Sequence, residues 1–228
     1  MFKEKLLNNK RIYCSDILSV EHFFTSRDFL MEENKEEITE YLNIKKENLI
    51  NPRQTHNTSI EIVREDKFDY PDCDGLILDK KGFAVYLNFA DCVPIILYDN
   101  KNKIGAVIHG GWRGTAQKIT AKAVEKMINL YSSNPKDITA VIGPAIGFEE
   151  FETSKEIMEK LSSTLKNKDG LFDEHHADLK NINQRQLKEC GVEKIDVCPY
   201  CTVKNNDKFF SYRKENKTRN RHCAVLKL

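Results

Sequence analysis

The chain has 228 residues, with 36 Lys and Arg against 35 Asp and Glu, a net charge of +1. Such balance excludes a nucleic-acid binder that works through a basic excess. No apolar run reaches the length of about 18 residues that a membrane-spanning helix needs, and MFKEKLLNNK at the N-terminus lacks the apolar centre of a secretory signal.

Hydrophobic residues make up 40% and charged residues 31%, a composition that buries a core without disulfides or structural metal at this length. There are seven cysteines, an odd number, which reads as a reducing, cytoplasmic compartment rather than a disulfide framework.

In chain order, residues 17–27 (ILSVEHFFTSR) read as a strand leading into a loop, and 31–42 (MEENKEEITEYL) as an acidic helix with Ile38, Tyr41 and Leu42 on one face. Thr58 to Val63 alternates as a strand. Four short apolar runs follow, GLILD (75–79), FAVYLN (83–88), VPIILYD (93–99) and KIGAVIHG (103–110), separated by turns too short to hold a helix. Asp99-Asn100-Lys101-Asn102 suits a hairpin loop. The centre is therefore expected to be a largely antiparallel sheet.

Thr115 to Tyr131 has helical spacing, ITAVIGPAIG (138–147) reads as a buried strand, and Thr153-Ser154-Lys155-Glu156 as a capping box opening a helix to about Leu165. Asp178 caps a further helix that stops before Gly191. KIDVC (194–198), FFSYRK (209–214) and CAVLKL (223–228) read as strands. No linker or repeat divides the chain. The expectation is a single α+β domain over residues 1–228, with central mixed, largely antiparallel sheet layers covered by helices.

Three residues sit at the ends of apolar runs, where side chains can converge on one sheet edge: His56 in RQTH, Cys92 in FADC and His109 in VIHGGWRGT. Two imidazoles and a thiolate make a catalytic-type zinc site with an open fourth position. The same residues also suit a buried thiol and two turn histidines, and their spacing alone leaves both readings open.

In HGGWRGT, glycines around Trp112 and Arg113 let backbone N–H groups approach an anion, with Arg113 as a clamp; a tight turn with Trp112 in the core explains the same residues. Ser211 and Arg213, on one face of the FFSYRK strand, suit an anionic group. Cys198-Pro199-Tyr200-Cys201 matches a redox motif, but no periodic helix follows it, so both thiols read as structural.

Taken together, QTH, ADC followed by P-I-L, HGGWRGT, IGPAIG, CT and FFSYR, in that order over residues 54–213, resemble the laccase-domain family, once called multicopper polyphenol oxidoreductases. The resemblance implies a zinc-dependent purine nucleoside phosphorylase acting on adenosine, inosine or methylthioadenosine with phosphate, with adenosine deaminase activity alongside. It implies metal ligation and catalysis by His56, Cys92 and His109. Copper is the less favoured metal. The chain departs from the family pattern near the N-terminus, where FFTSRDFLMEENKEE keeps Arg27 but not the usual glycines, and at Thr218-Arg219-Asn220-Arg221.

Arg27, Arg113, Ser211 and Arg213 are the expected substrate-binding residues. The expected partners are a small-molecule nucleoside and phosphate, with no nucleic acid and no membrane, on a monomer or weak homodimer. Asp91, beside Cys92, is a candidate proton shuttle. Two rival enzymes stand beside this reading, the first of them built on the same residues. One is a metal-free cysteine hydrolase or amidase acting on a peptidoglycan precursor, with Cys92 as nucleophile and His109 as base. The other is a phenol oxidase, whose multicopper form needs more imidazole ligands than the six histidines of the whole chain supply.

Overall fold

A computed structural model describes all residues, 1–228. Strand β1 (Phe2–Leu7) forms a hairpin with β2 (Lys10–Ser15), and β3 (His22–Thr25) follows. Helix α1 (Met31–Tyr41) leads to the short strand β4 (Leu49–Ile50). Next come β5 (Ile60–Ile62), β6 (Gly75–Leu78), β7 (Ala84–Phe89), β8 (Val93–Asp99) and β9 (Ile104–Gly110). Helices α2 (Trp112–Ala116) and α3 (Ile119–Tyr131) precede β10 (Ile138–Ile142). Helices α4 (Lys155–Ser162) and α5 (Leu179–Glu189), then strands β11 (Lys194–Val197) and β12 (His222–Lys227), complete the chain.

The strands make two mixed six-stranded sheets, ordered β1-β2-β3-β12-β7-β4 and β11-β10-β8-β9-β6-β5. Side-chain alternation along each strand shows how they stack. On β9, Ile104, Ala106 and Ile108 join a cluster shared with α3, α4 and α5, while Val107 faces a second cluster. On β7, Val85, Leu87 and Phe89 face that second cluster, while Ala84 and Tyr86 face a third beneath Ile38 and Leu42 around α1. The layers therefore run helices, sheet, sheet, helix, with the second cluster between the sheets. This is the expected α+β class.

Several local expectations need correction. The four central runs are strands but not one sheet, because β7 pairs with β12 and β4 in the other sheet. The helix expected from Thr115 is broken at Lys118, whose φ of 58° is left-handed, so α2 and α3 are separate. Ser154, not Thr153, caps α4, accepting from Ile157 N–H. FFSYRK has no strand partner: Phe209, Phe210 and Ser211 are irregular and buried, and Tyr212, Arg213 and Lys214 form an exposed turn. The β1–β2 hairpin was not anticipated. Its turn is Asn8-Asn9, both left-handed, the two-residue loop that matches strand twist.

His222 on β12 is fully buried between the rings of Phe89 and Phe209, and neither ring nitrogen has a hydrogen-bond partner. Burial pushes its pKa down to about 3. The folded value lies below the ordinary one near 6.5, so the protein binds this proton only on unfolding. Its contribution to stability is complete above about pH 6.5 and is lost as pH falls toward 3. Urea denaturation between pH 7 and 4 should show a slope smaller by up to roughly 1.4 kcal/mol per pH unit in His222→Leu than in the wild type. Identical slopes would show that His222 does not titrate on unfolding.

Candidate functional site

Strand register brings the site together. Gly75 of β6 pairs with Ile108 of β9, and Val93 of β8 pairs with Gly110. The residues just outside these strand ends, Asp74, Cys92 and Gly111, therefore meet around His109.

His56 arrives from the other sheet. Pro52 interrupts the pairing of β4 with β7, and side-chain amides take over from the backbone. Asn51 Nδ2 donates to Tyr86 O (2.9 Å) and Gln54 Nε2 to Asn88 O (2.9 Å), while Gln54 Oε1 accepts from Asn88 N (2.8 Å). The next three backbone N–H groups, of Thr55, His56 and Asn57, all donate to the carboxylate of Asp74, at 3.0, 3.0 and 2.9 Å.

Asp74 also accepts from Nδ1 of His109 at 2.6 Å and is itself fully buried. Burial opposes its ionisation; the bonds from His109 and from the backbone of Asn57 and Thr55 outweigh burial and hold it below the usual carboxylate range. One carboxylate thus fixes both histidine-bearing segments. Because Nδ1 of His109 is committed to Asp74, its Nε2 is the nitrogen left for a ligand.

The ligating atoms of His56, Cys92 and His109 all lie within 4.8 Å of one another. The two imidazole rings are edge to face, with centroids 4.7 Å apart. Burial opposes a thiolate at Cys92, but the charge and hydrogen bonds of His109, aided by His56, lower the thiol below its ordinary value; the reciprocal attraction of Cys92 and Asp74 raises His109 against its own burial. A thiolate with two imidazoles suits a borderline-soft metal such as zinc far better than magnesium or calcium, and the three residues fit such an ion.

Gly111 lies against all three side chains: a Cβ on it would be 3.2 Å from Cys92 Sγ and 3.2 Å from His56 Cδ2, a crowded contact that glycine avoids. His109 is buried, Cys92 half-buried and His56 exposed, so the cluster opens on the His56 side, into a cavity of about 1270 Å³.

The other expected residues divide. Arg113 lies on the cavity wall, its guanidinium stacked 4.4 Å over Trp112 with no ion-pair partner. Helix α2, which carries both, is only five residues long, too short to offer an N-terminal anion site, so the cationic group on this part of the wall is the Arg113 side chain. Helix α5 secures α2 through buried bonds: Asn183 Nδ2 to Thr115 Oγ1 (3.0 Å) and Gln186 Nε2 to Thr115 O (2.9 Å).

Arg213 also lines the cavity, but it holds the carbonyls of Glu150 and Glu152, at 2.8 and 3.2 Å. Ser211 is fully buried away from the cavity, its Oγ accepting from Lys214 N at 3.0 Å, because the segment turns rather than running as a strand. Arg27 is not on the wall either. It pairs with Glu215 at 2.9 Å, donates to the carbonyl of Asn206 and stacks over Phe210.

Asp74, which holds His109, and Arg219 and Tyr212 on the cavity wall lie outside the expected set.

Cys198 and Cys201 are unpaired and buried. Burial pushes the Cys198 thiol up to about 12, and Cys201 Sγ accepts from Gly147 N at 3.1 Å. Changing both to Ser should leave turnover within a few-fold of wild type and lower stability by roughly 1–3 kcal/mol per unsatisfied hydroxyl. A fast-alkylating thiol at either position would contradict this.

A family model described as "Multi-copper polyphenol oxidoreductase laccase" matches residues 26–228. A protein named purine nucleoside phosphorylase from Bacteroides thetaiotaomicron is 30% identical over 188 residues, 74% of this chain and 68% of that one. One named Adenosine deaminase RL5, from an unknown prokaryotic organism, is 30% identical over 191 residues, 76% and 72% of the two chains. Among solved structures, that of the Bacillus licheniformis hypothetical protein YfiH superposes with a TM-score of 0.91 at 25% identity, covering 98% of each chain. No helix of the structure is long and apolar enough to cross a membrane.

Proposed function

Because the chain belongs to the multi-copper polyphenol oxidoreductase laccase family, we propose that it is a purine nucleoside phosphorylase. It takes adenosine, inosine or methylthioadenosine with phosphate to the free base and ribose 1-phosphate, in the cytoplasm, with adenosine deamination as a side activity. The observation that carries this reading is the convergence of His56, Cys92 and His109 on the floor of one open cavity, in a chain similar to proteins named for these two activities.

These three residues hold zinc, which when bound supplies Lewis-acid polarisation of an oxygen in the cavity. Asp74 orients the imidazole of His109 and the loop of His56, so the donors are set before metal or substrate arrives. In phosphorolysis a phosphate oxygen bonds to the anomeric carbon while the bond from that carbon to the purine nitrogen breaks, its electron pair leaving with the base. Arg113, held flat by Trp112 and free of any carboxylate, is placed to neutralise the phosphate. Arg213 shapes the wall by holding the segment at Glu150–Glu152.

One observation favours a second reading. Cys92, His109 and Asp74 form a nucleophile, base and orienting carboxylate in the order that a metal-free cysteine hydrolase uses. His56, which such a triad does not require, weighs toward the metal.

Inosine should give hypoxanthine and ribose 1-phosphate only when phosphate is present, read by separating the products. Base release at the same rate without phosphate would support a hydrolase and end the phosphorylase reading.

A further inference from the structure

Asp91 lies in the turn between β7 and β8, directly before Cys92. Its φ is 86°, a left-handed conformation rare outside glycine that persists only where the surroundings impose it. The turn breaks the alternation of a strand, so Asp91 and Cys92 both border the cavity instead of facing opposite ways.

The Asp91 carboxylate is only slightly exposed, and each of its oxygens is taken. Oδ1 accepts from Thr202 Oγ1 at 2.6 Å, and Oδ2 accepts from Arg213 N at 2.6 Å. Its carbonyl accepts from Ile146 N at 2.9 Å. Thr202 is fully buried and lies off the cavity; its N–H donates to Ala145 O at 3.0 Å. One residue therefore joins the thiolate turn, the loop after β10 and the C-terminal loop that puts Tyr212 and Arg213 on the wall.

A carboxylate so engaged is poorly disposed to shuttle protons and well disposed to fix distances. We propose that Asp91 is a positioning residue, tying the Cys92 turn to Thr202 and to the Tyr212–Arg213 wall so that substrate and thiolate stay in register. Its effect on turnover rests on the phosphorylase reading; its effect on the thiolate turn does not.

The test compares wild type, Asp91→Ala, Thr202→Val, the double variant and Thr202→Ser, each loaded with one equivalent of zinc. Two quantities are read: phosphate-dependent inosine turnover and the rate of zinc release to an excess of chelator. Asp91→Ala should raise KM about tenfold and Thr202→Val about threefold, with kcat within threefold of wild type. Both changes should speed zinc release several-fold. The double variant should be no worse than Asp91→Ala, since coupled partners are not additive. Thr202→Ser, which keeps the hydroxyl, should behave as wild type.

A loss in kcat of a hundredfold at unchanged KM in Asp91→Ala, with Thr202→Val silent, would place Asp91 at the reacting atoms and overturn the proposal. Additive effects of the two changes would overturn it too. If the wild type shows no phosphate-dependent turnover, the phosphorylase reading fails. Zinc release then decides: faster, non-additive release supports the positioning role, and unchanged release ends it.

Discussion

Replacing Cys92 with Ala should leave a folded protein that purifies with far less than one equivalent of metal and turns over nucleoside at least a thousandfold more slowly. The loss is large because the thiolate is the only anion among the three ligands, and two neutral imidazoles hold a divalent ion much more weakly. The fold should survive because its cores lie elsewhere: between the sheets, beneath α3 to α5, and beneath α1. Added zinc should stabilise the wild type by RT ln(1 + [Zn]/Kd) and leave Cys92→Ala almost unstabilised. Metal analysis after gel filtration, with thermal unfolding in and out of chelator, measures both. A full equivalent of zinc in Cys92→Ala would remove Cys92 from the ligand set.

The second large effect is expected at Asp74. This fully buried carboxylate answers three backbone N–H groups and His109 Nδ1. Asp74→Asn keeps the shape but turns an amide NH₂ toward donors, leaving buried groups unpaired at about 1–3 kcal/mol each. In a domain of this size each kcal/mol lowers Tm by roughly 2–4 °C. Zinc affinity should fall about 10- to 100-fold, as for other carboxylates that orient a metal-binding histidine. Competition with a chelator of known affinity gives the number. Unchanged zinc affinity in a destabilised Asp74→Asn would mean that Asp74 serves the fold alone.

The contrast between Asp74 and Cys92 shows what the sequence can carry. Strands β8 and β9 were legible because both faces of each are buried, which makes their apolar runs continuous. The same continuity hid the membership of β7. Its run looks like those of its neighbours, and nothing local records that it pairs with β12, more than a hundred residues away. Lys118 and Asn8-Asn9 take left-handed turns that residue type permits but does not demand.

At the site, His56, Cys92 and His109 stand out because metal ligation needs those residue types, with Cys92 and His109 at strand ends and His56 in the loop between β4 and β5. Asp74 does not stand out, since an acid before a strand usually faces water, and only the β6–β9 register turns it onto His109. Arg27 and Ser211 carried suitable chemistry, but their partners, Glu215 and Lys214, lie in a C-terminal loop whose path no periodicity describes.

The most direct test of the account couples the metal to the reaction. Protein stripped with chelator and dialysed should be titrated with zinc while ribose 1-phosphate release from inosine and phosphate is measured. The expected result is no activity at zero zinc and a linear rise that ends at one equivalent per chain. Full phosphate-dependent turnover by the metal-free protein, or nucleoside cleavage that ignores both zinc and phosphate, would contradict it.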